Sequence, residues 1–152
     1  MNPSVLTAAA AVLVAAAGCS SSGSGPDPDA AKNGAPSTVC AKDAAAKQVA
    51  LPSGFPTNFP LPPGTVITGV DDRGSRAGIV ITGVTATDFT SVLKALQTDL
   101  PARGFTPDEG EVEPHDAESN WSSAGYTGRW AIRDISSCAG DVSVSVVARP
   151  TT

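Results

Sequence analysis

Histidine, cysteine, aromatic and basic residues are all scarce in this chain of 152: one His, three Cys, an aromatic share of 5%, and 10 Lys plus Arg against 15 Asp plus Glu. With no Cys-x-x-Cys anywhere, neither a zinc site nor thioredoxin-like redox chemistry has its usual spacing. A net charge of −5 leaves no positive field to collect phosphates, so nucleic acid is not an expected partner. The apolar run at 5–17 has only 13 residues, whereas a membrane-crossing helix needs about 20. Glycine and proline, by contrast, are plentiful at 15 and 13, which implies many turns and long irregular connections. The hydrophobic share of 41% suffices for a core. The length suits one domain with tails, since a domain takes roughly 100 to 200 residues.

The run at 5–17, VLTAAAAVLVAAA, is uncharged and fits the apolar region of an export signal. It leads into Ala16-Ala17-Gly18-Cys19, where small residues let a signal peptidase approach the backbone and the Cys supplies a thiol for acylation. This stretch resembles the lipobox of bacterial lipoproteins. The resemblance implies that diacylglycerol is attached to Cys19 and that the chain is cut just before it. Ala16 stands where that family usually carries Leu, and residues 1–4 contain no Lys or Arg. An ordinary secretory signal that ends near a Cys is the alternative. Residues 20–37 are rich in Ser, Gly and Pro with almost nothing to bury, and a coil of 18 residues spans about 24 Å, enough to lift a domain clear of lipid headgroups. The expected division is therefore an export signal at 1–18, a lipid-anchored flexible tether at 19–37 and a single globular domain at 38–152.

If Cys19 carries lipid, two cysteines remain, Cys40 and Cys138. In an oxidising compartment a disulfide between them is the economical reading, with two buried free thiols as the alternative.

Along the domain, residues 39–50 have good helix propensity and form an expected short helix carrying Cys40. Residues 51–64, LPSGFPTNFPLPPG, hold five prolines, which fix φ and remove donors. That run should lie extended along the domain, pinned by Phe55, Phe59 and Leu61. Residues 65–70 and 77–84 are β-branched runs joined by a turn-forming segment and read as a hairpin. Thr87 can cap a helix whose apolar residues, Phe89, Val92, Leu93, Leu96 and Leu100, fall on one stripe, with Pro101 and Gly104 ending it. Strands are then expected from Phe105 into an acidic segment, and over 117–122, 126–135 and 141–148. In the last of these Val142, Val144 and Val146 alternate with Ser143 and Ser145, which predicts valines inward, serines outward and one wet sheet face. Trp130 and Ile132 should likewise point opposite to Arg129, Ala131 and Arg133. The order suggests the α+β class: an antiparallel sheet of about five strands with one amphipathic helix packed on one face, plus the short N-terminal helix.

Taken together, the PLPPGT run, the hairpin, the helix ending in Leu-Pro-Ala-Arg-Gly-Phe, the Trp-bearing strand and the final Cys-Ala-Gly-Asp-Val strand resemble small actinobacterial lipoproteins of unassigned activity. The resemblance covers about residues 51–149 and carries no catalytic residues across.

Three constellations invite a chemical reading. Ser91-Val92-Leu93-Lys94 matches the Ser-x-x-Lys of penicillin-binding enzymes. Ser91, however, lies about 200° from Phe89 around the helix, so Ser91 and Lys94 face solvent, and no Lys-Thr-Gly or Ser-Asp-Asn partner occurs. His115, with no Gly-x-Ser-x-Gly elbow or triad, reads as a solvated loop residue. Asp108, Glu109, Glu111, Glu113, Asp116 and Glu118 place six carboxylates within 11 residues. Their spacing is not that of an EF-hand, and a solvated hairpin edge that discourages strand addition is the simpler reading. Asn120-Trp121-Ser122 is formally a glycosylation sequon, a nearly empty signal in a bacterial lipoprotein.

The expectation is a non-catalytic binding or assembly module, anchored by lipid to the extracytoplasmic face of the cell membrane and meeting an envelope protein or ligand. Trp121 and Tyr126 are its candidate contact surface, with Trp130 assigned to the core. No catalytic residue, metal or cofactor is expected. Two alternatives are a small envelope hydrolase using carboxylates of 108–118, which must converge in a pocket, and a carrier of an apolar ligand, which needs a cavity between helix and sheet.

Overall fold

The computed structural model describes residues 39–151. The signal, the lipobox with Cys19 and the tether lie outside the described residues. Among the described residues no helix is long and apolar enough to cross a membrane.

The chain begins with a single helical turn, α1 (Ala41–Ala44), followed by a 3-10 turn at Ala45–Lys47. This is shorter than the helix expected over 39–50. Only Ala44 is buried along it, and a helix without a packed face has little beyond propensity to extend it. The proline-rich run then crosses to the other end of the domain. Phe55 and Phe59 are buried and Leu61 packs against the core. Thr85 Oγ1 and Thr87 Oγ1 both donate to the Pro63 carbonyl, at 2.8 and 3.1 Å, so the donor-poor run is held by side chains of its neighbour.

Strands β1 (Val66–Asp72) and β2 (Ile79–Thr85) form the hairpin, joined through the short helix α2 (Gly74–Ala77). Helix α3 (Phe89–Ala102) follows. The chain closes with β3 (Thr106–Val112), β4 (Asp116–Ser122), β5 (Tyr126–Asp134) and β6 (Val142–Pro150). All six strands make one antiparallel sheet in the order β1-β2-β6-β5-β4-β3. The class is α+β. Helix α3 carries the chain from β2 to the far edge, and the meander β3 to β6 returns until β6 pairs with β2. Six strands pair where about five were expected, and the strand expected from Phe105 into the acidic run is the edge strand β3. That strand reads TPDEGEV, has no apolar alternation, and is exposed at every residue.

Helix α3 is capped by Asp88, not by Thr87: the Asp88 carboxylate accepts the Ser91 N–H at 3.0 Å. The carboxyl is held below its ordinary value by the Ser91 side chain first and the Ser91 backbone N–H second. Val92, Leu96 and Leu100 are fully buried, with Phe89 and Leu93 half-buried at the margins of the stripe. Pro101 is accommodated in the last turn, and Gly104, at φ +83°, reverses the chain into β3.

Beneath the helix lies an aromatic cluster. Phe59, Phe105 and Trp121 contact one another with ring centroids 5.2 to 5.3 Å apart, and Phe55 joins through Phe59 at 5.9 Å. Gly128 sits opposite Trp121 in the β4–β5 register, where any Cβ would collide with the indole and with the Val147 carbonyl. The absence of a side chain there makes room for the largest one in the core.

The expectation of one wet sheet face is corrected. Ser143 and Ser145 are 4% and 8% exposed, and they share their face with the buried Val80, Val84 and Val147. A serine tolerates such a place when its short hydroxyl finds backbone, and Ser143 Oγ donates to the Arg133 carbonyl at 3.0 Å. At one end of this face, α1 packs Ala44 with Val84, Ile135 and Cys138 in a second, smaller core.

Candidate functional site

The helix meets both the edge strand β3 and β5 but does not close the space against them. Between the C-terminal half of α3 and strands β3, β4 and β5 there is a cleft of about 270 Å³. Gln97 and Leu100 form its helix wall, Pro107, Asp108, Gly110 and Val112 its edge-strand wall, and Ser119 and Trp130 its floor, with Glu118 alongside. The local folding follows from the sequence. Pro107 and Gly110 bracket an irregularity in the β3–β4 pairing, so residues 108 and 109 leave the regular register. Gly110 then approaches β4 so closely that a Cβ would overlap Ser119. Ser119 Oγ donates to the carbonyls of Asp108 and Asn120, at 3.2 and 2.9 Å, which ties the irregular segment down. Val112, 57% exposed, stands at the open end.

Electrostatically the cleft is one-sided. None of its lining residues is basic. From Gly104 to Gly128 the chain contains no Lys or Arg, and Asp108, Glu109, Glu111 and Glu113 are all exposed. Trp130 is 3% exposed and its indole Nε1 has no hydrogen-bond partner.

The six carboxylates separate into two sets. Asp116 pairs with Arg133, whose Nε donates to Asp116 Oδ2 at 2.5 Å, and Glu118 pairs with Arg129. Both pairs bridge β4 and β5 on the face away from α3. The other four remain on β3 and the turn after it. Asp108 and Glu118 are neighbours of the same cleft, but the Glu118 side chain belongs to the opposite face, where Arg129 holds it, so the two carboxylates do not converge.

Trp121 is corrected as a contact residue. It is 1% exposed and lies inside the aromatic cluster, because β4 residues 117, 119 and 121 all face the helix. Tyr126 is half-buried against the main core. Trp130 is buried as expected, yet it also floors the cleft. His115, 81% exposed, is paired: its Nδ1 lies 2.7 Å from Asp134 Oδ2. Ser91 and Lys94 are exposed on the outer face of α3, and Ser91 serves the helix cap.

Cys40 and Cys138 are joined in a disulfide with Cα atoms 5.5 Å apart. Asp141 approaches the two sulfurs within 4.8 Å, but its Oδ2 accepts the Ala41 N–H at 2.7 Å. The sulfurs are bonded to each other and the carboxylate caps a helix, so this trio is a structural clasp.

The cleft was not legible in the sequence. Gln97, Ser119 and Trp130 come from three separate elements, and only the topology that puts β3 at the far edge brings them together. Pro107 and Gly110, as strand irregularities in an otherwise plain run, were the one available signal. Comparison with protein-family models, with curated proteins and with solved structures found no match.

Proposed function

We propose that this chain is a non-catalytic binding module, held by lipid on Cys19 to the extracytoplasmic face of the cell membrane, and that it binds in the cleft between α3 and the β3–β5 end of the sheet. The observation that carries the reading is that cleft, an open apolar-walled cavity next to a well-packed core. The clasp between Cys40 and Cys138 supports an oxidising compartment, as export requires. Separation of Asp108 from Glu118 speaks against a carboxylate hydrolase, whose acid and base must flank one bond. The lipobox-like Ala16-Ala17-Gly18-Cys19 supplies the anchor, and residues 20–37 supply the reach.

Anchoring is tested by Cys19→Ser in the full chain. The wild type should carry an acyl mass and partition with membranes, since each buried CH₂ contributes about 0.8 kcal/mol and two chains hold firmly. The variant should lose both. A variant that stays acylated and membrane-bound would refute the reading.

A further inference from the structure

We infer that the Cys40–Cys138 clasp is where the pull of the membrane anchor enters the sheet, and that it keeps that pull off residues 41–64, which are tied to the sheet at few points. This rests on reading the chain as anchored ahead of Val39 and adds what the disulfide does for an anchored domain.

Along the backbone alone, a pull arriving at Val39 would meet α1 first, a single turn in which only Ala44 is buried. Residues 45–51 follow, and all of them are exposed. Then comes the run 51–64, in which five prolines remove backbone donors. Among the described residues, the polar ties of 45–64 to the rest of the domain are few and scattered. The Val49 N–H donates to the Ile67 carbonyl at 2.9 Å, Asn58 Nδ2 donates to the Arg103 carbonyl at 3.4 Å, and the Thr85 and Thr87 hydroxyls hold the Pro63 carbonyl. Packing of Phe55 and Phe59 in the aromatic cluster is the main hold. A pull along the chain reaches these ties one after another, so each would bear it alone, and the peel would strip two rings from the core.

The clasp gives the pull a different path. Cys40 precedes every one of those residues, and its sulfur is bonded to Cys138 in the connection between β5 and β6. The Ala41 N–H ties to Asp141 of the same connection at 2.7 Å. That connection is braced within itself: Ile135 N–H donates to the Asp141 carbonyl, Cys138 N–H to the Ile135 carbonyl and Asp141 N–H to the Cys138 carbonyl, at 2.8 to 3.0 Å. From there the pull passes into β6, which is paired with β2 on one side and β5 on the other. Directed along β6, it crosses the ladder bonds at right angles, so both ladders share it. The chain thus meets its anchor at the centre of the sheet, and residues 41–64 hang outside the line of force.

The test stretches the full chain in magnetic tweezers between handle peptides fused to its two ends, with Cys19→Ser so that only the clasp cysteines remain. The chain is folded and oxidised first, then reduced in place with dithiothreitol, so nothing has to fold anew; should the bond resist the reagent, Cys40→Ala with Cys138→Ala replaces it. The oxidised chain should hold until the sheet gives way, in one step. The reduced chain should first lengthen at lower force by about 25 residues, roughly 90 Å at about 3.5 Å each, as 40–64 peel, and the sheet should yield later. The chain ahead of Val39 is the same in both states, so the difference reads residues 40–64. Phe59→Leu in the reduced chain should lower the force of the first step and leave the second in place, which a disulfide acting only on the unfolded state would not produce. A reduced chain that lengthens in a single step would overturn the inference, and so would a Phe59→Leu variant in which the second step moves. The experiment carries no lipid, so it can fail while the anchoring experiment succeeds, and the reverse.

Discussion

Replacing Cys40 and Cys138 together by Ala removes a link between residues 98 apart in sequence. In the chain-entropy account, closing a loop of that size raises the free energy of the unfolded chain by about 4.7 kcal/mol at 25 °C, which is about a third or more of the roughly 5 to 15 kcal/mol that a domain has in total. The native-state loss is smaller. The bridge sits in the second core with Ala44, Val84 and Ile135, and the main core under α3 does not touch it. One tie between the same segments also survives, from the Ala41 N–H to Asp141. The double variant should therefore fold with its sheet intact but melt at a much lower urea concentration. Its slope should be steeper as well, because an unlinked denatured chain exposes more surface. Tryptophan fluorescence reads the transition, since Trp121 and Trp130 are both buried. Adding Asp141→Ala should release the first turn, seen as fast exchange of the Asp43 N–H that now bonds Cys40 O at 2.9 Å. A double variant that melts within about 1 kcal/mol of wild type would refute the entropic argument.

Leu96→Ala should cost about 2 to 5 kcal/mol in a urea melt, because the side chain is fully buried, and half-buried Leu93→Ala about 1 to 2. Ser91→Ala, on the exposed face, should stay within about 0.5 kcal/mol. Gly128→Ala should destabilise by about 3 kcal/mol or more, since its Cβ meets a backbone carbonyl and the Trp121 ring, and soluble yield with melting temperature measures it. Because the folded state lowers the Asp88 pKa, the cap's contribution is complete above the ordinary value of 3.8 and lost as pH falls through the folded value. Asp88→Asn should flatten that acid limb in melting temperatures measured from about pH 6 to about pH 2, and an unchanged limb would deny the cap its role.

Elements whose residues carry a period were readable without coordinates. The stripe at 89, 92, 93, 96 and 100 placed α3, and the Val/Ser alternation placed β6, because each face of a regular element samples one environment. What that reasoning misjudged is which environments exist. Alternation says that Ser143 and Ser145 lie opposite the valines; it does not say that this second face is also buried. Only the pairing of β6 between β2 and β5 makes it the centre of the sheet. Trp121 failed for a related reason. It was offered because aromatic residues are enriched at contact surfaces, yet it lies on the face of β4 turned to the helix and inherits the aromatic interior.

The acidic run shows the limit most clearly, and it also explains the shape of the candidate site. As sequence, residues 108–118 are one block of like charge. The fold cuts the block at the turn after β3. Past the turn, Asp116 and Glu118 pair laterally with arginines of β5 and so become part of the sheet's second face. Before it, the remaining carboxylates stay on an edge strand that no other strand covers. Charges there guard the edge against strand addition, at no cost to the core, since β3 buries none of its residues. β3 is exposed at every residue, and the 14-residue helix, although it meets both β3 and β5, leaves the gap between them open. The cleft and its negative wall thus have a common origin in one edge strand.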